Sequence, residues 1–265
     1  MQKKYYPSPR EQEVMGALDG EEGVLDTADL AGRLPGLRRQ ALNKLVSSLA
    51  SKGYLHRLKR GLYLYQRAPS ERPSPGNLYR ITQALWGGYI GFLSALRLYE
   101  LTQYEPFAYY AVTEKRSGRL ELGSYTLQAV AMGRRATGMT FYREVYVSTV
   151  PKTFFDCFFK PQHAGGYSEV SRALQDAAPS LGWDEFLSYF RDASPSLCQR
   201  TGYVLELLAR ESGEVPAHVL KALRERVRVK CRLLPAGPST GKYVREWKLL
   251  DNLGEPRILG WREHG

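Results

Sequence analysis

Arg38, Arg39, Gln40, Asn43, Lys44 and Ser47 fall within one short segment of a 265-residue chain. Side chains of these types read base edges in duplex DNA: Arg and Lys pair with guanine, Asn and Gln with adenine, and Ser with either. Arg57, Lys59 and Arg60 form a second cluster, suited to phosphate or minor-groove contact. From Leu30 to Ser70 there are nine Lys or Arg residues and no Asp or Glu. A solvated helix face usually mixes signs, because opposite charges four residues apart support the helix. An acid-free run of this length suits a surface that must not repel phosphate. The plainer alternatives are a solvated amphipathic helix for the first cluster and a basic hairpin that resists edge pairing for the second.

The overall charge points the same way. Lys plus Arg is 38 and Asp plus Glu is 27, a net +11, which favours an anionic partner. Residues 1–72 carry 13 basic and 8 acidic side chains, residues 73–220 carry 14 of each, and residues 221–265 carry 11 and 5. The excess therefore sits at the two ends. Near the second end, Arg226, Arg228, Lys230 and Arg232 alternate with apolar residues up to Leu233. As a strand, Arg226–Leu234 would put the cations on one face. That face is either a basic edge that resists pairing or a second anion-binding surface.

Other chemistries find no complete set of residues. Three Cys and four His are scattered without CxxC spacing, so neither a disulfide scaffold nor a metal constellation is expected, and unpaired thiols fit a reducing compartment. Gly237 to Lys242 resembles a phosphate loop, but its spacing is one residue short and Tyr243 stands where Ser or Thr must ligate magnesium. Glu246 and Lys248 could belong to a metal-dependent nuclease, yet no acid lies between Glu225 and Glu246 to share the metal. No cofactor, no metal and no enzymatic activity are expected. A nuclease with a DNA-docking module and a ligand-responsive repressor remain the alternatives. The N-terminus lacks an apolar signal region and no segment is long enough to span a bilayer, so a cytoplasmic protein without membrane contact is expected.

The elements that would position the basic clusters can be read in order. Ser8, Pro9 and Glu11 make a capping box for a first helix, ended by Gly20 and Gly23. Val24-Leu25 is a short strand, and Asp26 caps a second helix, Thr27 to Arg33. After the turn Leu34-Pro35-Gly36, a third helix runs from about Leu37 to Lys52. Leu42, Leu45, Val46 and Leu49 form its buried face, with Gln40, Asn43, Lys44 and Ser47 opposite. Two β-prone runs then flank Lys59-Arg60-Gly61 as a hairpin. The order is that of a winged helix-turn-helix. Gln66 to Asn77 contains three Pro in twelve residues and reads as a linker. The expectation is an α+β protein: a winged helix-turn-helix over 1–72, then a mixed α/β domain over 73–265. Expected helices in the second domain are about 78–85, 92–100, 167–177, 184–191, 196–210 and 217–226, with one opened by Pro151. Expected strands are 108–113, 125–132, 144–148, 226–234 and 243–250.

Several segments together resemble the AbiEi-type antitoxins of prokaryotic type IV toxin–antitoxin systems. Leu58-Lys59-Arg60-Gly61-Leu62-Tyr63 is similar to that family's wing. Gly88 to Leu96, which contains Ser94, is similar to the first helix of its second domain. Lys152-Thr153-x-x-Asp156 is similar to its Lys-Thr-x-x-Asp segment, although Pro151 stands where Glu more usually precedes the Lys, so a role given to that acid has no carrier here. Arg200-x-Gly202-Tyr203 before an apolar helix also fits. The resemblance extends over about 200 residues. It implies repression of the chain's own operon through operator repeats in double-stranded DNA. It further implies an antitoxin domain, with Ser94, Lys152, Asp156 and Arg200 at motif positions, that counteracts a nucleotidyltransferase-like toxin. Direct contact with that toxin is not a general expectation of the family. From the residues alone, Lys152 and Asp156 are a helix salt bridge worth a few tenths of a kcal/mol.

Overall fold

The computed structural model describes residues 6–18, 23–73 and 75–261, and within them the architecture is α+β. The order begins α1 (Pro9–Gly16), β1 (Gly23–Asp26), α2 (Thr27–Arg33), α3 (Arg39–Ser51), β2 (Leu55–Lys59), β3 (Leu62–Tyr65) and α4 (Leu78–Trp86). It continues β4 (Tyr89–Ile90), α5 (Phe92–Leu98), β5 (Ala108–Thr113), β6 (Gly118–Leu122), β7 (Tyr125–Ala131), β8 (Met139–Tyr142) and β9 (Val145–Ser148). The remainder is α6 (Val150–Phe159), α7 (Gly166–Ala177), α8 (Trp183–Ser188), α9 (Pro195–Ser212), α10 (Ala217–Arg224), β10 (Cys231–Arg232), β11 (Lys242–Val244), β12 (Leu249–Asp251) and α11 (Glu255–Leu259).

Two compact units emerge: one runs to Gly88 and includes Phe107–Ala136, the other joins Tyr89–Pro106 to the chain from Thr137 onward. This packing division differs from one at residue 72. In the first unit, Leu58, Leu62 and Leu64 of β2–β3 share a core with Leu78, Ile81 and Leu85 of α4 and with Tyr109, Leu122 and Leu127 of β5–β7. The segment Gln66 to Asn77, whose Ser74 lies outside the described residues, thus joins elements that pack together. Its start is tied back by Gln66 N–H to Tyr54 O and Ser70 N–H to Gly53 O.

The beginning of the first unit follows its local signals. The Ser8 hydroxyl accepts from Glu11 N–H, and the Glu11 carboxylate accepts from Ser8 N–H at 2.5 Å. Helix α1 ends at Gly16, and Gly20 lies outside the described residues. Asp26 caps α2 by accepting from Ala28 N–H. Leu42, Val46 and Leu49 of α3 pack with Val14, Leu30, Leu55 and Tyr65. Strand β3 pairs antiparallel with both β1 and β2. It serves two cores, Tyr65 facing α3 and Leu62 with Leu64 facing α4. Nearby, β7 pairs parallel with β5 and antiparallel with β6. Gly88 is required where it stands: a Cβ there would sit 2.0 Å from Val112 O, at φ +70°.

The second unit is mainly helical, around Phe154, Phe155 and Phe158 of α6, Phe186, Phe190 and Trp247. Strand β9 pairs parallel with β4 and antiparallel with β8, and β12 pairs parallel with β10 and antiparallel with β11. The Trp247 ring lies against Gly202 of α9, where a Cβ would come within 2.2 Å of it. The expected strand Arg226–Leu234 shrinks to Cys231–Arg232. The Arg226 guanidinium instead donates to Phe190 O, Arg191 O and Ala193 O, and residues 227–230 are irregular chain.

Glu11 links α1 to α3 through Lys52 Nζ at 2.6 Å. Burial pushes the Glu11 carboxyl up, but hydrogen bonds from Lys52, Ser48 and Ser8 outweigh it and hold the group at about 2 instead of 4.5. A depressed folded-state value contributes stability above the unfolded value, and that contribution disappears as pH falls through the folded one. Thermal unfolding of the wild type should therefore weaken from about pH 4.5 toward pH 2 more steeply than that of Glu11→Gln. Parallel curves for the two proteins would contradict the assignment.

Candidate nucleic-acid interface

Helix α3 and the β2–β3 hairpin flank a polar cleft of about 520 Å³. Arg39 and Asn43 line it from α3, Arg57 and Arg60 from the hairpin, and Thr27 and Tyr63 complete the walls. Residues distant in sequence thus converge: Arg39, Asn43, Arg57 and Arg60 are all exposed, and among the described residues no acid lines the cleft. Gln40, Lys44 and Ser47 are exposed on the same helix outside this cleft. Arg38 is the N-cap of α3 and makes no side-chain cap bond. On the other flank of α3, Arg38 and Lys44 line a second cleft of about 760 Å³ with Arg10, Arg33 and Glu13. Arg10 and Arg33 were not among the residues expected from sequence. Arg10 carried a signal, since a cation in the first turn of α1 opposes the helix dipole.

Lys59 departs from its expected place. Its Nζ donates to Leu85 O at 2.5 Å and Ala84 O at 3.5 Å, at the C-terminus of α4, so it does not line the cleft. His56, in the same strand, has its Nε2 2.9 Å from Gln66 Nε2, and burial lowers its pKa from 6.5.

The expected second basic surface is not a strand face. Arg226 is engaged by carbonyls, and Arg232 donates to Gly237 O at 3.0 Å and Ser239 Oγ at 3.3 Å. Arg228 and Lys230 are exposed in irregular chain, and between them Val229 is 45% exposed where alternation would bury it. The continuous strand that would align the four cations is thus replaced by irregular chain over residues 227–230.

The motif residues of the second unit occupy its interior. Lys152 and Asp156 of α6 form an ion pair, both fully buried, so the small value of an exposed helix pair does not apply. Tyr89, also buried, closes a triangle: Lys152 Nζ donates to Tyr89 OH at 2.9 Å, and that hydroxyl donates to Asp156 Oδ2 at 3.0 Å. The ammonium also lies 5.2 Å from the Phe155 ring centroid and 5.5 Å from those of Tyr89 and Tyr189. Burial pushes the Asp156 carboxyl up to about 6, against the pull of Lys152 and Tyr89. Tyr89 was missed in the sequence because nothing local links it to a helix 63 residues later. Ser94 is buried in α5. Arg200 Nε donates to Arg232 O at 2.9 Å, and Tyr203 OH donates to Asp251 Oδ2 at 2.8 Å, which ties α9 to β10 and β12.

Among the described residues no group of His, Cys, Asp or Glu could hold a metal ion, and no helix is long and apolar enough to cross a membrane. Cys157, Cys198 and Cys231 are free thiols. No protein-family profile matches the chain, and no curated protein matches it by sequence.

The fold resembles that of the RV2827C protein from Mycobacterium tuberculosis. The crystal structure of that protein superposes with a TM-score of 0.64 at 19% identity, covering 97% of this chain and 95% of its own. The likeness to RV2827C is thus one of fold, over nearly the whole length of both.

Breaking a buried ion pair by removing one partner costs about 3–5 kcal/mol, because the other charge is left uncompensated. Lys152→Met and Asp156→Asn should each lower stability by that order in urea unfolding. The double change Lys152→Met with Asp156→Leu should cost less than the sum of the singles. Single variants with wild-type midpoints would show that the pair carries no such stake.

Proposed function

We propose that α1 to β3 form a winged helix-turn-helix that binds double-stranded DNA. The observation that carries this reading is the basic cleft where Arg39 and Asn43 of α3 face Arg57 and Arg60 of the hairpin, with no acid among its described lining residues. A recognition helix enters the major groove by its N-terminal half, where Arg39, Gln40 and Asn43 stand. Arg39 is suited to guanine, and Asn43 and Gln40 to adenine. Arg57 and Arg60 are placed for phosphate or minor-groove contact beside the helix. Arg10, Arg33, Arg38 and Lys44 supply cations on the other flank, where the second strand's backbone would run.

The wider reading is that the chain is an AbiEi-type antitoxin that represses its own operon at operator repeats. Its second unit would counteract a nucleotidyltransferase-like toxin, without enzymatic activity of its own and without requiring direct contact. Support comes from the family-like segments. Lys152, Asp156, Arg200, Gly202 and Tyr203 each hold a structural post in the second unit. That is what motif residues would do in an antitoxin that acts through its fold.

Fluorescence anisotropy with the chain's own promoter tests the DNA reading. Arg39→Ala and Asn43→Ala should each cost about 1–3 kcal/mol on the preferred sequence and relax discrimination. Arg60→Ala should weaken all duplexes alike and reduce the salt slope by about one. Absence of binding at low salt would reject the reading. Co-expression tests the antitoxin half: the chain should restore growth to cells expressing the neighbouring toxin, and failure to do so would reject that half alone.

A further inference from the structure

The cation next to the tip of the hairpin points away from the cleft, and the register of the strands explains why. Directly paired residues share a face of a sheet. Arg57 pairs with Tyr63, which lines the cleft, whereas Lys59 pairs with Leu62, which packs toward α4. Simple alternation would put Arg57 and Lys59 on one face. A register shift between them breaks the alternation, as a β-bulge does when it re-aims a side chain. Lys59 is thereby delivered to the last carbonyls of α4, Leu85 O at 2.5 Å and Ala84 O at 3.5 Å. Those carbonyls lack helical donors and carry the negative end of the helix dipole. Helix α4 has no basic residue in its own last turn, so the strand supplies the cation. On the other side of the tip, Thr27 N–H donates to Gly61 O at 2.9 Å.

We infer that Lys59 is a positioning residue for nucleic-acid binding, one that pins the hairpin to α4 and so holds Arg57 and Arg60 opposite Arg39 and Asn43. It is not a phosphate contact. The functional part of this inference rests on the DNA-binding reading, while the pinning itself does not.

The experiment uses the full-length chain with Lys59→Met, which keeps the aliphatic stem and removes the ammonium. In the free protein, hydrogen exchange at the amides of Leu58 to Leu62 should accelerate about tenfold. Lys59→Arg, which can still donate to the carbonyls, should restore protection. On promoter DNA, Lys59→Met should weaken binding about 5- to 20-fold with an unchanged salt slope, because no phosphate contact is lost. Adding Arg60→Ala to Lys59→Met should then cost much less than Arg60→Ala alone, since an unpinned tip no longer delivers Arg60. Unchanged exchange overturns the inference. So does a salt slope smaller by about one together with fully additive effects, the signature of a phosphate contact. Accelerated exchange in a chain that binds no duplex at all would uphold the pinning and reject the DNA-binding reading instead.

Discussion

A hairpin can hold arginines toward a cleft only if its opposite face is fixed, and here that face is apolar. Leu58, Leu62 and Leu64 are buried against α4 and β5–β7. Burying a leucine contributes about 1.5–3 kcal/mol, whereas an exposed ion pair contributes about 0–1 kcal/mol. The leucines therefore set where the body of the hairpin lies, and Lys59 fixes its tip. Because β3 alternates, the same four residues serve two cores, with Tyr65 facing α3 and Leu62 and Leu64 facing α4.

The second unit uses charge in the opposite way. Lys152 and Asp156 are removed from water and matched to each other and to the Tyr89 hydroxyl. Such a triangle has few acceptable alternatives, because each member would be left unsatisfied if another moved. Aromatic rings around the ammonium complete its surroundings. The polar group thus specifies how α6 meets the segment holding Tyr89, while Phe154, Phe155 and Phe158 supply the apolar area.

Much of the first unit was legible in local sequence. The capping box at Ser8 and Glu11, the cap at Asp26 and the buried stripe of α3 are written within a few residues of each other. The basic cluster of the cleft was legible for the same reason. What was not legible depends on distant partners. Strands Gly118–Leu122 and Met139–Tyr142 escaped notice, and the exposure of every residue from Met139 to Phe141 leaves no alternating pattern to read. Arg226 to Leu233 alternates without fault, yet only Cys231 and Arg232 find a neighbouring strand, and alternation carries no mark of the carbonyls near Phe190 that Arg226 meets. Lys59 looked like a companion of Arg57 because a register shift leaves no mark in composition.

The chain order of the first unit has a consequence for synthesis. Its hairpin is complete at Tyr65, but the strands that share its leucine core end at Ala131, after the chain has passed through Tyr89–Pro106. At about 5–20 residues per second on the ribosome, the leucine face waits for several seconds before its last covering strand emerges. During that interval Leu58, Leu62 and Leu64 form a sticky surface on a nascent chain. The lysines and arginines that crowd the same stretch, Leu30 to Ser70, carry charge of a single sign, which favours solubility of the waiting segment.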